Sequence, residues 1–372
     1  MKKNKELWVI LLFLIWIGLF FAANLFAPQT EFSERENRYL QTRPKLSVSA
    51  LRSGEFMQDF EEFCSDQFVL RDRWVTVKAR CELFSGKKEN NGIFLCEGER
   101  LIKPFTAPTD CTLSERAEAV TELAANLDVP VYLALIPDAA EIYGDLLPEG
   151  APNDSEAEII RKVCADAEAG NIDILSALTE HRDEEIFYRT DHHWTSLGAH
   201  YAGEAVCEAM GAESAKLTDL QPVTVSDSFY GTAFSSSGYT WIRPDSIQRF
   251  TDGSGITADR YDSSEPTAGG LYAEERLALK DKYTYFLGGN APRVVIHGTE
   301  TEKPVLLILR DSYADSLVPF LTPSYSEIHL LDLRYYLDSV KEYVTENKID
   351  TVLVLYSVSN FCTDKGVLMM AE

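Results

Sequence analysis

Apolar and polar positions divide the 372-residue chain into three regimes. Residues 7–23 (LWVILLFLIWIGLFFAA) form one apolar run, and residues 7–30 carry no charge. A helix needs about 20 such residues to cross a bilayer core, so residues 1–30 are read as a transmembrane anchor or signal segment. Residues 31–100 turn polar and charged and are read as a stalk and N-terminal extension. Within them Phe56, Phe60, Phe63, Phe68, Trp74 and Val77 recur at spacings that predict one or two amphipathic helices.

From residue 101 to 372 short apolar runs alternate with helical periods. Helices are expected at 113–127 and 155–168, each followed by a strand, at 129–136 and 172–175. A third helix starts at Thr195 or Ser196, either of which can cap it. It carries Leu197, Tyr201 and Ala205 on one face and stops at Gly211 after Met210. The rhythm resumes with a strand at 305–309, a short helix limited by Pro319 and a strand at 327–331. A helical face over Tyr336, Leu337, Val340, Tyr343 and Val344 and a strand at 351–355 complete it. Strands that are apolar on both faces belong to parallel sheets covered by helices on both sides. The expected fold is therefore α/β, a three-layer parallel sheet. Residues 212–303, rich in Ser, Gly and Thr, break the pattern and are read as a β-rich insertion. It includes a hairpin in YTYFLGGNAPRVVIHG that turns at Gly288-Gly289-Asn290.

Charge narrows the function. Thirty-five Lys and Arg face 59 Asp and Glu, a net charge of −24 that repels phosphate backbones and excludes nucleic acid as a partner. Lys2, Lys3 and Lys5 precede the apolar run, so the N-terminus is expected on the cytoplasmic side. The chain would then be a single-pass cell-membrane protein with its main domain extracytoplasmic. A cleaved signal peptide is the alternative, although Phe21-Ala22-Ala23 and Leu25-Phe26-Ala27 make poor cleavage sites. The seven cysteines form no CxxC pair and no zinc spacing. Cys164 and Cys207 fall in helical patterns as small core residues, and Cys96 and Cys111 are close enough in sequence to close a short loop.

Three features fall at strand ends or at a helix start: Asp191-His192-His193-Trp194, Ser312 and Asn360. Serine becomes a nucleophile when a histidine takes its proton, and a carboxylate fixes that histidine's tautomer. Ser312 sits where a buried strand gives way to a helix, a turn that aims backbone N–H groups at a developing oxyanion. Asn360, after the last strand, is positioned to add a side-chain N–H. Other uses of the same residues stand beside this one. Ser312 can cap the helix that follows it. Asp191, His192 and His193 are metal-ligand types, but the further aspartate motifs of DHH phosphoesterases are missing, so no metal and no cofactor is expected. Trp194 packs behind the histidine or stacks on a sugar. Tyr313, Tyr230 and Trp241 line a cleft or are simply buried.

The order Arg310-Asp311-Ser312, helix, strand, helix, strand, Asn360 resembles the SGNH hydrolase fold, with its Gly-Asp-Ser block first and its Asn block two strands later. The Asp-x-His-Trp lies before the serine, a permuted motif order similar to the SGNH-like domain of the alginate O-acetyltransferase proteins J and X. Within that superfamily the chain most resembles the DHHW family. SERENRYL, TDHHWTSLGAHYA, FLGGNAPRVVI and RDSYADSLVPFL carry the likeness across residues 31–372. The resemblance implies Ser312 as nucleophile, His193 as base and Asp191 as its orienting acid. It leaves Asn360 as the oxyanion-hole candidate, with His192 and Trp194 in supporting positions. Arg310 replaces the usual glycine, the second-block glycine has no match near Asp332-Leu333-Arg334, and two adjacent histidines compete for one role.

What the resemblance implies for function is an extracytoplasmic O-acyltransferase moving acetyl groups to a cell-envelope or secreted polysaccharide. A multi-span membrane-bound O-acyltransferase would supply the acyl groups as partner. A carbohydrate esterase using the same triad, or a non-catalytic glycan-binding or assembly component, are the alternatives.

Overall fold

Leu306, Leu307, Ile308 and Leu309 are all fully buried, so this strand loses water on both faces at once. Each such side chain contributes roughly 2 kcal/mol of burial, which places it at the centre of a sheet. In the computed structural model, which describes residues 2–109, 112–214 and 216–371, the centre belongs to an eight-stranded sheet. Its strands in chain order are β1 (Val131–Ile136), β2 (Gly170–Ile172), β3 (Thr257–Tyr261), β4 (Thr267–Gly269), β5 (Arg293–His297), β6 (Val305–Arg310), β7 (Glu327–Leu331) and β8 (Thr351–Ser357). Across the sheet they run β4-β3-β5-β7-β6-β8-β1-β2.

Alternate residues of the central strands serve two cores. Ala134, Ile308 and Leu355 face a cluster built with the helices Ser196–Met210 and Ala314–Leu321. Leu133, Leu309 and Val354 face a second cluster with the helices Leu113–Asn126, Glu156–Asp166 and Val340–Glu346. The domain is an SGNH-like α/β fold in three layers. Its sheet is mixed where an all-parallel sheet was expected. β7, β6, β8, β1 and β2 are parallel, while β5, β3 and β4 extend the β7 edge antiparallel. Those three strands come from within residues 212–303, so part of the presumed insertion completes the main sheet, and Val223–Phe229 pairs with Asp245–Arg249 apart from it.

Local chemistry explains where helices begin and end. Thr195 Oγ1 accepts the Gly198 N–H, and Gly211 closes the helix at φ +68°. Other expectations need correction. No hairpin turns at Gly288-Gly289-Asn290: Lys282–Tyr285 is a 3₁₀ turn, and β5 pairs with β3 and β7. Tyr283, Tyr285 and Phe286 go instead into a separate aromatic cluster with Tyr188 and Phe229. The helix expected from Tyr336 starts only at Val340, because Ser339 caps it and the Tyr335 and Tyr336 N–H groups bond back to Asp332. Leu337 is left exposed. The helix after Ser312 runs through Pro319 to Leu321. The strand expected at 172–175 ends at Ile172, where Asp173 caps a helix over Ile174–Glu180.

The chain divides into two compact units, residues up to Asn90 with Gly238–Thr240, and Asn91–Ser237 with the residues from Trp241 on. The first contains the helix Lys2–Phe26, whose stretch Glu6–Phe26 has mean hydropathy 2.6 and is a candidate single-pass anchor. It also holds a clamp: Arg38 reaches both oxygens of the buried Asp66 carboxylate, while Arg71 pairs with Glu36. The hydrogen bonds from Arg38 hold the Asp66 carboxyl below its ordinary range. Cys111, the suggested partner of Cys96, lies outside the described residues.

Candidate active site

Three neighbouring strands, β6, β8 and β1, end at one carboxyl edge, where ligands of open α/β sheets gather. Ser312 follows β6, Asn360 follows β8 and Asp138 follows β1. The segment carrying Asp191-His192-His193 arrives from just before the helix Ser196–Met210. His193 Nε2 lies 2.7 Å from Ser312 Oγ, and His193 Nδ1 lies 2.6 Å from Asp191 Oδ1. The tautomer that satisfies both contacts donates Nδ1–H to Asp191 and leaves Nε2 to accept the serine proton. Ser312 is half-buried and its hydroxyl is committed to His193, so it is not the helix cap; Tyr313 occupies that position and makes no side-chain cap bond.

Asp191 is fixed from four directions. Oδ1 accepts the His193 backbone N–H and ring N–H, and Oδ2 accepts from Thr232 N at 2.7 Å and Thr232 Oγ1 at 3.0 Å. Gly231 lets this happen, since a Cβ there would stand 2.2 Å from the Asp191 carboxylate. Burial works against the Asp191 charge, but the two imidazoles and these hydrogen bonds outweigh it and hold the carboxyl far below the ordinary carboxylate range. Burial, helped by the charge of His192, pushes His193 down to about 4 against the pull of Asp191. The ring is therefore neutral at neutral pH, as an acceptor of the serine proton must be.

Of the two histidines it is His193 that bridges. His192 is exposed, its Nδ1 2.7 Å from Thr232 Oγ1, and its ring lies against that of His193. Trp194 is fully buried, out of reach of a sugar, and its Nε1–H donates to Tyr313 O and Ser316 Oγ. It thereby ties the histidine segment to the turn after Ser312. Tyr283, which the sequence did not single out, stacks flat on His193 and donates to Ser312 O.

Asp311 joins the strand ends. Its Oδ2 accepts Ser357 N, Ser357 Oγ and Asn360 Nδ2, and its Oδ1 accepts Tyr313 N. Asn360 gives one amide N–H to Asp311, and an amide has two. Arg310 is fully buried and reaches Asp315 on the following helix at 2.9 Å. Burial pushes the Asp315 carboxyl up to about 7.

Asp191, His192 and His193 each place a ligand atom within 4.8 Å of the others, the spacing of a metal site. Yet both Asp191 oxygens, both His193 nitrogens and His192 Nδ1 are already in hydrogen bonds. A cation would have to break this network to bind.

A cleft of about 550 Å³ opens beside Asp191 and His192, with Asp138, Ser359 and Asn360 on its floor. Asp138 Oδ2 accepts from Ser359 Oγ at 2.6 Å. The single phenolic proton of Tyr313 serves either His192 O at 2.6 Å or Asp138 Oδ1 at 3.0 Å. Tyr313 is buried, and neither Tyr230 nor Trp241 lines this cleft.

The fold is that of an SGNH-like α/β domain. Residues 99–236 match the family described as SGNH hydrolase-like domain, acetyltransferase AlgX. The chain is 29% identical over 187 residues to the protein of Pseudomonas putida named "Probable alginate O-acetylase AlgJ", covering 47% of this chain and 48% of that one. It thus spans about half the length of the curated relatives it matches. Among solved structures, a DHHW family protein from Eubacterium siraeum superposes with a TM-score of 0.67 at 24% identity, covering 76% of this chain and 96% of that one. Bacillus cereus PatB1 with a sulfonyl adduct gives a TM-score of 0.61 at 20% identity over 75% and 98%. At these identities the structures share a fold. The resemblance to the DHHW family and to the proteins J and X, read first from TDHHWT and RDSYADS, holds.

Proposed function

We propose that the chain is an extracytoplasmic O-acyltransferase that moves an acyl group, acetyl in the simplest case, onto a hydroxyl of a cell-envelope or secreted polysaccharide. The observation that carries this reading is His193 seated between Asp191 and Ser312, with bonds of 2.6 and 2.7 Å. The name of the Pseudomonas putida relative, an alginate O-acetylase, supports it.

In this mechanism Ser312 Oγ attacks the acyl carbonyl of the donor while its proton passes to His193 Nε2. The negative charge on the carbonyl oxygen meets the remaining Asn360 amide proton. Collapse breaks the bond to the donor oxygen, which leaves with the proton from His193, and Ser312 is an ester. A sugar hydroxyl then gives its proton to His193 and attacks that ester, and its collapse returns the proton to Ser312. Asp191 holds the ring's tautomer and stabilises the imidazolium in both halves.

The helix Lys2–Phe26 would hold the domain at the membrane with Lys2, Lys3 and Lys5 on the cytoplasmic side. Acyl-CoA is confined to the cytoplasm, so a multi-span membrane-bound O-acyltransferase is the partner that would pass acyl groups outward. The test is the purified full chain with p-nitrophenyl acetate and an oligosaccharide acceptor. The expected results are acetate on Ser312 by mass spectrometry and acetylated oligosaccharide, both abolished by Ser312→Ala. Equal activity in that variant refutes the reading, and release of free acetate alone, with acceptor present, marks an esterase.

A further inference from the structure

The cleft beside the triad has a composition that bears on what it can hold. Six of its side chains carry hydroxyls (Thr106, Thr232, Ser236, Ser357, Ser359 and Thr363). Among the described residues Lys103 is the one lining residue with a positive side chain outside the histidine, and the carboxyls of Asp138 and Asp191 oppose it. The chain around it carries a net charge of −24. A uronic-acid polymer bears one carboxylate per sugar, and a site for it would present several Arg or Lys side chains, the groups that pair with carboxylates. This cleft presents one, in a protein whose own field repels anions. Thr232, Ser357, Ser359 and Thr363 spend their hydroxyl protons within the protein, so the cleft offers neutral oxygens and the Asp138 carboxyl as acceptors for sugar hydroxyls. Buried Phe105 and half-buried Pro104 add apolar wall.

We propose that this cleft binds the acceptor glycan and that the glycan is uncharged there, built of neutral or N-acetylated sugars and not of uronic acids. The AlgJ relative is named for alginate, a polyuronate; this chain would differ from it in acceptor class. The use of the cleft rests on the acyl-transfer reading, so the test is one of binding, which can succeed or fail separately from turnover.

The experiment uses the full chain in detergent, disabled by Ser312→Ala, and ligand-observed saturation-transfer NMR. Uncharged hexasaccharides (cellohexaose and N-acetylchitohexaose) are compared with hexamannuronate at 20 and 500 mM NaCl. The expected result is binding of at least one uncharged oligomer with little salt dependence. Hexamannuronate should bind at least about tenfold more weakly at 20 mM, and the gap should narrow at 500 mM as screening shortens the repulsion. Thr363→Trp and, separately, Ser236→Trp, both at exposed rim positions, should remove the uncharged-oligomer signal while circular dichroism stays native. Hexamannuronate binding as tightly as the uncharged oligomers overturns the proposal. So does the absence of any uncharged binding, or binding untouched by both folded tryptophan variants. An active esterase or transferase with no uncharged ligand sinks this inference alone. A chain without Ser312-dependent turnover that still binds uncharged oligomers sinks only the catalytic reading.

Discussion

The Tyr283 ring lies flat on the His193 imidazole, centroids 3.8 Å apart and planes 8° from parallel. Its hydroxyl meanwhile bonds Ser312 O at 3.2 Å and Ser316 Oγ at 3.0 Å. One residue thus dries one face of the His193 imidazole and braces the Ser312 backbone. Tyr283→Leu should lower kcat about 100-fold, the cost of roughly 1 Å of misplacement at a reacting group. It should also admit water to the ring and raise the acid limb of kcat/KM, because burial is the largest cause of the low His193 pKa. Tyr283→Phe keeps the stacking and should leave that limb where it is. Stopped-flow turnover of p-nitrophenyl acetate from pH 3.5 to 8 reads both.

Ser312→Ala and His193→Ala should each cost about 1,000-fold or more in acetate release, while their double variant costs little further, as expected of groups acting as a unit. His192→Ala should retain most activity because its ring points to Thr232 and not to Ser312. A loss in His192→Ala as large as in His193→Ala would reverse the assignment of the base.

The acid limb of kcat/KM should fall near pH 4, the value at which His193 takes up its proton. His192→Gln removes a positive neighbour that lowers this value and should move the limb upward. Stability follows the same sign. His193 binds a proton more readily unfolded, near 6.5, than folded, near 4. Its contribution is therefore fully present above pH 6.5 and lost as pH falls toward 4. Urea melts at pH 7 and 4.5 should show the lower midpoint at 4.5, and His193→Gln should shrink the difference.

Gly231→Ala should be a site-specific lesion. The added methyl meets Asp191 at 2.2 Å, so the carboxylate must leave its bonds to Thr232 and His193. The expected loss is about 100-fold in turnover with a native circular dichroism spectrum. Full activity would show that Asp191 can be displaced without effect.

Much of this site was legible because its key residues lie in compact motifs. Asp191, His193 and Trp194 are sequence neighbours, and Ser312 sits at the end of a strand whose four leucine and isoleucine side chains announce burial. Thr195 and Gly211 marked one helix at both ends through side-chain capping and a left-handed φ. Gly231, Thr232 and Tyr283 were not legible. They come from the Ser- and Gly-rich stretch without apolar period, and only tertiary approach brings them to Asp191 and His193. Asp311 looked like part of a motif, yet its work of joining β6 to β8 depends on strand order, which local pattern does not encode. The helix start at Val340 was missed because Ser339 and the turn at Asp332 outweigh the apolar spacing of Tyr336 and Leu337.

Trp194 bonds to Tyr313 and Ser316 across a separation of 119 and 122 residues. This makes the indole a latch between two stretches of polypeptide that are synthesised far apart. Until the later stretch is made and docked, the His193 imidazole has no Ser312 hydroxyl beside it. Acyl transfer of the proposed kind at this centre would therefore report that folding has run to completion, and an incompletely folded copy would be inert instead of indiscriminately acylating its surroundings.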